Sequence, residues 1–309
     1  MKISFVIPCY RSEKTIEAVV EELKRVVSCR EGVDYEVIMV SDHSPDGVYA
    51  VIERLCHDDP LHLKGLELAR NFGQHAALLA GYAHVTGDVI FSLDDDGQAP
   101  VDATYDLLDK LLEGNDVVFG AYPEKKHNLF RNMGTCVNFW MTEWLLDKPK
   151  NLKLTSFFAM KRFVLDEILR YKGPFPYLGG LIFRVTQSVV NVEVNHRARK
   201  YGTSGYTFVK LLGLWFNGFT AFSVKPLRLA SFAGMFCSVC GFVYGVWIIV
   251  NKLMVNPQIQ LGYSSLMSVI LFVGGLLMLI LGLIGEYVGR IYICINNSPQ
   301  YVISRETKS

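Results

Sequence analysis

Apolar and polar positions fall into two regimes along this chain. Up to about residue 205, short apolar runs alternate with stretches of helical periodicity; beyond it the apolar runs lengthen until charge disappears from them. In the first regime Ile3–Ile7, Glu36–Val40, Leu63–Leu68, Val89–Leu93, Val117–Phe119 and Val189–Val194 predict strands. Thr15–Val27 predicts a helix, with Ile16, Val19, Val20, Leu23, Val26 and Val27 at helical spacing, as do His75–His84 and the cluster Leu107, Leu108, Leu111 and Leu112. Leu129, Phe130, Met133, Val137, Trp140, Met141 and Trp144 make one stripe, read as the core-facing side of an amphipathic helix that ends at Lys148-Pro149-Lys150. This βαβα order predicts an α/β fold built on a mainly parallel sheet with helices on both faces. Such sheets bind ligands beyond the carboxyl ends of their strands.

The second regime reads differently. Phe208, Leu211, Leu212, Leu214, Trp215, Phe216, Phe219 and Phe222 crowd a segment whose only charge is Lys210. It predicts an amphipathic helix in a membrane interface over residues 206–228. Leu229–Val250 and Leu261–Gly285 contain no charged residue, and each exceeds the ~20 residues that cross a bilayer core. Lys225 and Arg228 precede this pair and Arg290, Arg305 and Lys308 follow it, whereas the connection at 251–260 carries only Lys252. Basic residues stay cytoplasmic, so the expectation is a two-helix transmembrane hairpin in the plasma (inner) membrane. A catalytic domain over 1–205 and a tail over 286–309 would then both face the cytosol.

Composition adds little and excludes something. The 309 residues carry a net charge of +1, so no overall field points to nucleic acid. Seven scattered cysteines form no disulfide framework and suit a reducing compartment. Cys237-x-x-Cys240 lies inside an apolar span with no second ligand pair nearby. The N-terminal run is too short for a signal-peptide core.

The candidate chemistry centres on Asp94-Asp95-Asp96-Gly97-Gln98, at the carboxyl end of the Val89–Leu93 run. Adjacent carboxylates there repel one another and resist burial. A divalent cation relieves that conflict, and hard oxygen ligands favour Mg²⁺ or Mn²⁺, ions that also grip substrate diphosphates. A solvated, helix-capping acidic turn is the plain alternative.

Several pieces together resemble a known family. Ile7-Pro8-Cys9-Tyr10, Ser41-Asp42-His43-Ser44-Pro45-Asp46-Gly47, Arg70-Asn71-Phe72-Gly73 and Asp94-Asp95-Asp96-Gly97-Gln98 recur in the order seen in family 2 glycosyltransferases of the GT-A fold. Arg199-x-x-Gly202-x-Ser204-x-Tyr206, Pro226-Leu227-Arg228 and Gly285-Glu286-Tyr287-Val288-Gly289-Arg290 resemble the polyprenyl-phosphate branch of that family. The resemblance implies a GT-A (nucleotide-diphospho-sugar transferase) Rossmann-like fold and a nucleotide-sugar donor. It also implies a polyprenyl phosphate acceptor in the lipid bilayer, inversion at the sugar carbon, and a homotetramer. Asp96 and Gln98 are then the metal ligands; Pro8, Tyr10, Asp42, Arg70, Asp94 and Asp95 frame the nucleotide sugar. Arg131, Arg199 and Ser204 hold the lipid phosphate, and Asp94, Asp96, Arg131 and Arg199 carry the chemistry. Four departures stand out: Arg11 where the family has Asn, Ser41 where it has Asp, no acidic residue just before Thr155-Ser156, and no basic residue in Asn296-Asn297-Ser298 before Pro299.

Competing readings are a processive polysaccharide synthase and a non-catalytic membrane scaffold. The first lacks its Gln-x-x-Arg-Trp motif here, and the intact Asp94-x-Asp96-x-Gln98 opposes the second. A dinucleotide oxidoreductase fails because Pro8-Cys9-Tyr10-Arg11-Ser12 stands where a Gly-x-Gly-x-x-Gly turn is needed.

Overall fold

The computed structural model describes residues 1–30, 32–122, 149, 152–173, 176–195, 225–254, 263–296 and 299–307. The chain divides into two compact units, Met1–Tyr206 with Asn297–Ser309, and Thr207–Asn296.

The first unit is an eight-stranded sheet with helices. In chain order it runs β1 (Lys2–Cys9), α1 (Ile16–Val27), β2 (Asp34–Ser41), α2 (Val48–Asp58), β3 (Leu63–Leu68), α3 (Gln74–Tyr82) and β4 (Val89–Ser92). Then come α4 (Thr104–Leu112), β5 (Val117–Ala121), β6 (Phe158–Lys161), α5 (Arg162–Leu169), α6 (Leu178–Val185) and β7 (Val189–Glu193). Strand order across the sheet is β7-β5-β6-β4-β1-β2-β3-β8, where β8 (Ile303–Glu306) is supplied by the far end of the chain. β1 pairs in parallel with both β2 and β4, β2 with β3, and β5 with β7; β6 and β8 run antiparallel to their neighbours.

Hydrophobic periodicity accounts for these elements. Ile16, Val19, Val20, Leu23 and Val27 line the buried stripe of α1, and Leu107, Leu108 and Leu111 that of α4, while Leu112 faces out. β1 is buried from Ile3 to Cys9, as a central parallel strand covered on both faces must be. Pro8 has no amide hydrogen to donate; it lies past Val6, where the pairing of β1 with β4 stops. α3 is buried almost all round. Gly81 permits its close approach: a Cβ there would stand 2.4 Å from Val6 Cγ1 and 3.1 Å from Val40 Cγ2.

The pattern-based expectations do not include α5 or α6, and two further features go beyond them. α2 was not among the predicted elements, although Val48, Ile52, Leu55 and Cys56 form its buried stripe. The tail of the chain is not simply a tail, because β8 adds to the sheet edge. Arg305 Nε meets the buried Glu67 carboxylate at 2.6 Å, Lys64 meets Glu306 at 2.6 Å, and Ala69 N–H donates to the Val302 carbonyl at 2.8 Å. β8 thereby covers hydrogen-bonding groups that β3 would otherwise leave bare.

The second unit contains two long helices, α7 (Lys225–Met254) and α8 (Tyr263–Ile295). Both outrun the charge-free stretches, and α8 continues through Glu286 and Arg290. Phe272–Ile295 is 24 residues long with mean hydropathy 1.9, enough to cross a membrane by length and composition; Ala230–Tyr244 in α7 is a shorter apolar stretch. Phe232, Phe236, Phe242, Trp247, Met278 and Leu279 are all exposed, as a lipid-facing helix pair would present them.

The tight seat of α3 makes a first prediction. Gly81→Ala drives a methyl group into Val6 and lowers stability by about 1–3 kcal/mol, the usual cost of overpacking. Thermal melting of the detergent-solubilised chain checks this; an unchanged midpoint would mean that α3 sits further from the sheet.

Candidate active site

The strand order reverses direction between β1 and β4: β2 and β3 continue on one side of β1, and β4 opens the other. This is a topological switch point, where the loops leaving adjacent strands diverge and open a crevice. The Tyr10–Ser12 turn and the Asp94–Gln98 turn both begin at this point.

Carboxylates knit the loops of this rim together. Arg11 N–H donates to Ser44 Oγ at 2.7 Å, and Ser44 Oγ–H to Asp46 Oδ1 at 2.6 Å. Glu13 N–H donates to Asp46 Oδ2 and Gly47 N–H to Glu13 Oε2, both at 3.0 Å. Three of these bonds fasten the loop after β1 to the loop after β2, and the Ser44–Asp46 bond braces the second loop. They coexist with left-handed backbone at Arg11 (φ 59°) and His43 (φ 50°), an uncommon conformation for residues with a Cβ.

Asp42 is buried, and both of its oxygens are engaged. Oδ1 accepts from Phe72 N–H at 2.7 Å and Oδ2 from Gly73 N–H at 2.8 Å. Burial pushes its pKa up against these two donors. The pair fixes the entry into α3, where Gly73 adopts φ 91°. Asp42 thus clasps the loop that carries Arg70. Arg70 itself is exposed and stacks over the Phe72 ring at 4.7 Å.

The three consecutive aspartates have different surroundings. Asp95 turns inward, where Oδ2 accepts from Tyr10 N–H at 2.8 Å. Burial, and secondarily the charges of Asp94 and Asp96, push its pKa up to about 6. Asp94 accepts from Gln74 Nε2 at 2.8 Å on one oxygen and from the Ser156 hydroxyl on the other. Asp96 Oδ1 accepts from Gln98 N–H at 3.0 Å, across Gly97 in left-handed backbone (φ 70°). Tyr122 lies close by; burial first, then the Asp94 and Asp96 charges, push its phenol up to about 12. Tyr10 is exposed at the mouth, with the Arg11 guanidinium 5.6 Å from its ring centroid.

The structure therefore gathers Pro8, Tyr10, Asp42, Arg70, Asp94, Asp95, Asp96 and Gln98 at the carboxyl ends of β1 to β4. Arg131, Arg199 and Ser204 lie outside the described residues, as do the 129–144 stripe and the 206–224 part of the interface segment. Two polar partners of the acidic turn, Gln74 and Ser156, were not singled out from the sequence. Among the described residues, no three His, Cys, Asp or Glu side chains converge as a ready metal cage. The hard oxygens of Asp96 and Gln98 still fit Mg²⁺ or Mn²⁺, since Mg²⁺ is commonly held by one or two carboxylates with substrate phosphates completing its shell.

Comparison with known proteins is decisive here. Residues 4–169 match Glycosyl transferase family 2, and residues 225–291 match the GtrB C-terminal hairpin. The chain belongs to glycosyl transferase family 2. This glycosyltransferase is 31% identical to the SfII prophage-derived bactoprenol glucosyl transferase of Shigella flexneri, over 99% of this chain and 98% of that one. It is 30% identical to the undecaprenyl-phosphate 4-deoxy-4-formamido-L-arabinose transferase of Enterobacter sp. (strain 638), over 98% and 93% of the two chains. Its fold is shared with glucosyl-3-phosphoglycerate synthase from Mycobacterium tuberculosis, solved with Mn²⁺ and UDP-glucose. That likeness has a TM-score of 0.50 at 20% identity and covers 71% of this chain and 76% of that one. The expected GT-A architecture is thus present.

The Asp42 clasp makes a second prediction. Asp42→Asn sets an amide NH₂ against one of the two loop N–H groups and orphans it, at a cost of about 1–3 kcal/mol. Melting and nucleotide affinity, measured together, should both fall; stability at the native level would show that the loop amides find other acceptors.

Proposed function

We propose that this glycosyltransferase moves one monosaccharide from a nucleotide sugar, a UDP-sugar, to undecaprenyl phosphate, a polyprenyl phosphate, inverting the anomeric carbon. The reaction takes place at the cytosolic face of the plasma (inner) membrane and serves cell-envelope glycan or glycolipid modification. The observation that carries this reading is the acidic turn Asp94–Gln98 at the switch point of a family 2 domain, in a chain that also bears the GtrB C-terminal hairpin. The names of the Shigella and Enterobacter relatives support a polyprenyl phosphate acceptor.

Breaking the bond from C1 to the phosphate leaves negative charge on the departing nucleotide diphosphate. Asp96 and Gln98 hold Mg²⁺ or Mn²⁺, which when bound neutralises that charge and orients the donor. Tyr10 and Pro8 border the nucleotide, Asp42 sets the loop that presents Arg70, and Asp95 reaches the donor indirectly, through its bond to the Tyr10 amide. Asp94 faces the donor.

The acceptor accounts for the missing acid near Thr155. A phosphate monoester with its second pKa near ~6 is already largely ionised at pH 7, so the attacking oxygen needs no strong base. It needs cations beside a charged diphosphate, and the Arg131 and Arg199 guanidinium groups, with the Ser204 hydroxyl, fill that role. Thr155 is occupied in structure, its Oγ1–H lying 2.8 Å from the Gly120 carbonyl. A lipid acceptor cannot leave the bilayer, so an anchored enzyme, assembled as a homotetramer, works at a raised effective acceptor concentration.

The test is a screen of radiolabelled nucleotide sugars with undecaprenyl phosphate and Mg²⁺ or Mn²⁺, scored by label entering the organic phase. Label from at least one UDP-sugar is expected; none from any donor overturns the reading. In the same assay Asp96→Ala should lose on the order of 10²-fold or more, the scale of a removed electrostatic stabiliser. Arg199→Ala should raise the KM for the lipid phosphate more than that for the donor; equal losses would indicate damaged folding instead.

A further inference from the structure

We propose that Gln74 and Ser156 are positioning residues that fix the Asp94 carboxylate toward the sugar end of the donor. The inference rests on the transferase reading above and deepens it.

The geometry comes from three separate segments. Asp94 follows β4, Gln74 opens α3, and Ser156 stands just before β6. Gln74 Nε2 donates to Asp94 Oδ1 at 2.8 Å, and the Ser156 hydroxyl donates to Asp94 Oδ2. With a donor on each oxygen, the carboxylate plane cannot turn about its terminal torsion without losing a charge-assisted bond. Both donors sit beside packed or bonded neighbours. His75, the neighbour of Gln74, is packed edge-on against Tyr177 with ring centroids 5.4 Å apart, and burial pushes its pKa down to about 4, so it stays a neutral packing group. Ser156 is bracketed by Thr155, bonded to the Gly120 carbonyl, and by Phe157, which is buried in the core.

Direction follows from strand order. Asp95 bonds toward the loop of β1, on the side where β1, β2 and β3 carry Tyr10, Asp42 and Arg70. Ser156 ties Asp94 toward β6 and β5, where Tyr122 also lies, while Gln74, at the start of α3, ties it back toward the ends of β2 and β3. A nucleotide framed by the loops of β1 to β3 extends its diphosphate and sugar toward that second side. Asp94 is thereby held between the two sides, where the nucleotide side gives way to the sugar side and small displacements of a catalytic group are costly.

The experiment uses the full chain in detergent, with the donor identified by the screen, undecaprenyl phosphate, and Mn²⁺. Ser156→Ala and Gln74→Ala should each lower kcat roughly tenfold, on the scale expected for misplaced groups. Affinity for UDP with Mn²⁺, measured by calorimetry, should stay within about twofold, because UDP lacks the sugar. Ser156→Thr restores the hydroxyl and should recover most of kcat. In an Asp94→Asn background the same two substitutions should add little, since their effect runs through the carboxylate. Variants with native kcat, a parallel collapse of UDP affinity, a failed Thr rescue, or full additivity with Asp94→Asn would each overturn the inference. Wild-type protein that transfers nothing would instead overturn the proposed function, and this inference with it.

Discussion

How negative charge is accommodated at the carboxyl end of β4 governs the rest of the site. Neighbouring carboxylates ~6 Å apart repel by roughly 3 kcal/mol at an effective dielectric of about 20. The chain does not dilute Asp94, Asp95 and Asp96 with neutral residues; it sends them in different directions. Asp95 goes inward to a backbone amide, Asp94 sideways between an amide and a hydroxyl, and Asp96 back across a glycine turn. Asp95 and Asp94 join the acidic turn to other elements and Asp96 closes the turn on itself, so local repulsion becomes a set of ties among β1, α3 and the approach to β6.

The same device recurs along the rim. Asp42 joins the end of β2 to the start of α3, and Asp46 with Glu13 joins the loops after β1 and β2. In most of these ties a carboxylate accepts backbone N–H donors that would otherwise be left over where strands end and loops begin. A rim built this way keeps loops in place without filling the crevice with apolar side chains. That leaves a polar rim over an apolar sheet.

Most of the scaffold was legible because buried strands and amphipathic helices leave periodic traces. Leu63–Leu68 was read with the bounds that β3 takes, and the acidic turn stood out because charge ends an apolar run abruptly. The failures have physical reasons. β8 reads Ile303-Ser304-Arg305-Glu306; an edge strand needs no apolar alternation, and its backbone and side-chain partners on β3, among them Glu67 and Lys64, are far away in sequence. Gln74 and Ser156 look like ordinary polar loop residues, and only the fold brings them to Asp94 across 20 and 62 positions. Asp42 was legible as a residue that matters, but its two backbone donors could not be inferred from spacing. The stripe of α2, Val48, Ile52, Leu55 and Cys56, is regular, with Glu53 and Arg54 on its exposed face, so that helix is legible in the pattern.

β8 also bears on the membrane reading. The chain leaves the sheet after β7, passes through α7 and α8, and returns to pair with β3. A strand cannot hydrogen-bond to a sheet across a bilayer, so the proposed anchoring requires an even number of crossings between β7 and β8. If α8 crosses, as its length and composition allow, an even count requires a further crossing between β7 and β8, and among the described residues the apolar stretch Ala230–Tyr244 in α7 is the candidate. This constraint is independent of the distribution of basic residues from which the hairpin was first read. It ties membrane topology to backbone hydrogen bonds at a sheet edge: a hairpin that enters and leaves on one face would let β7 and β8 belong to one sheet.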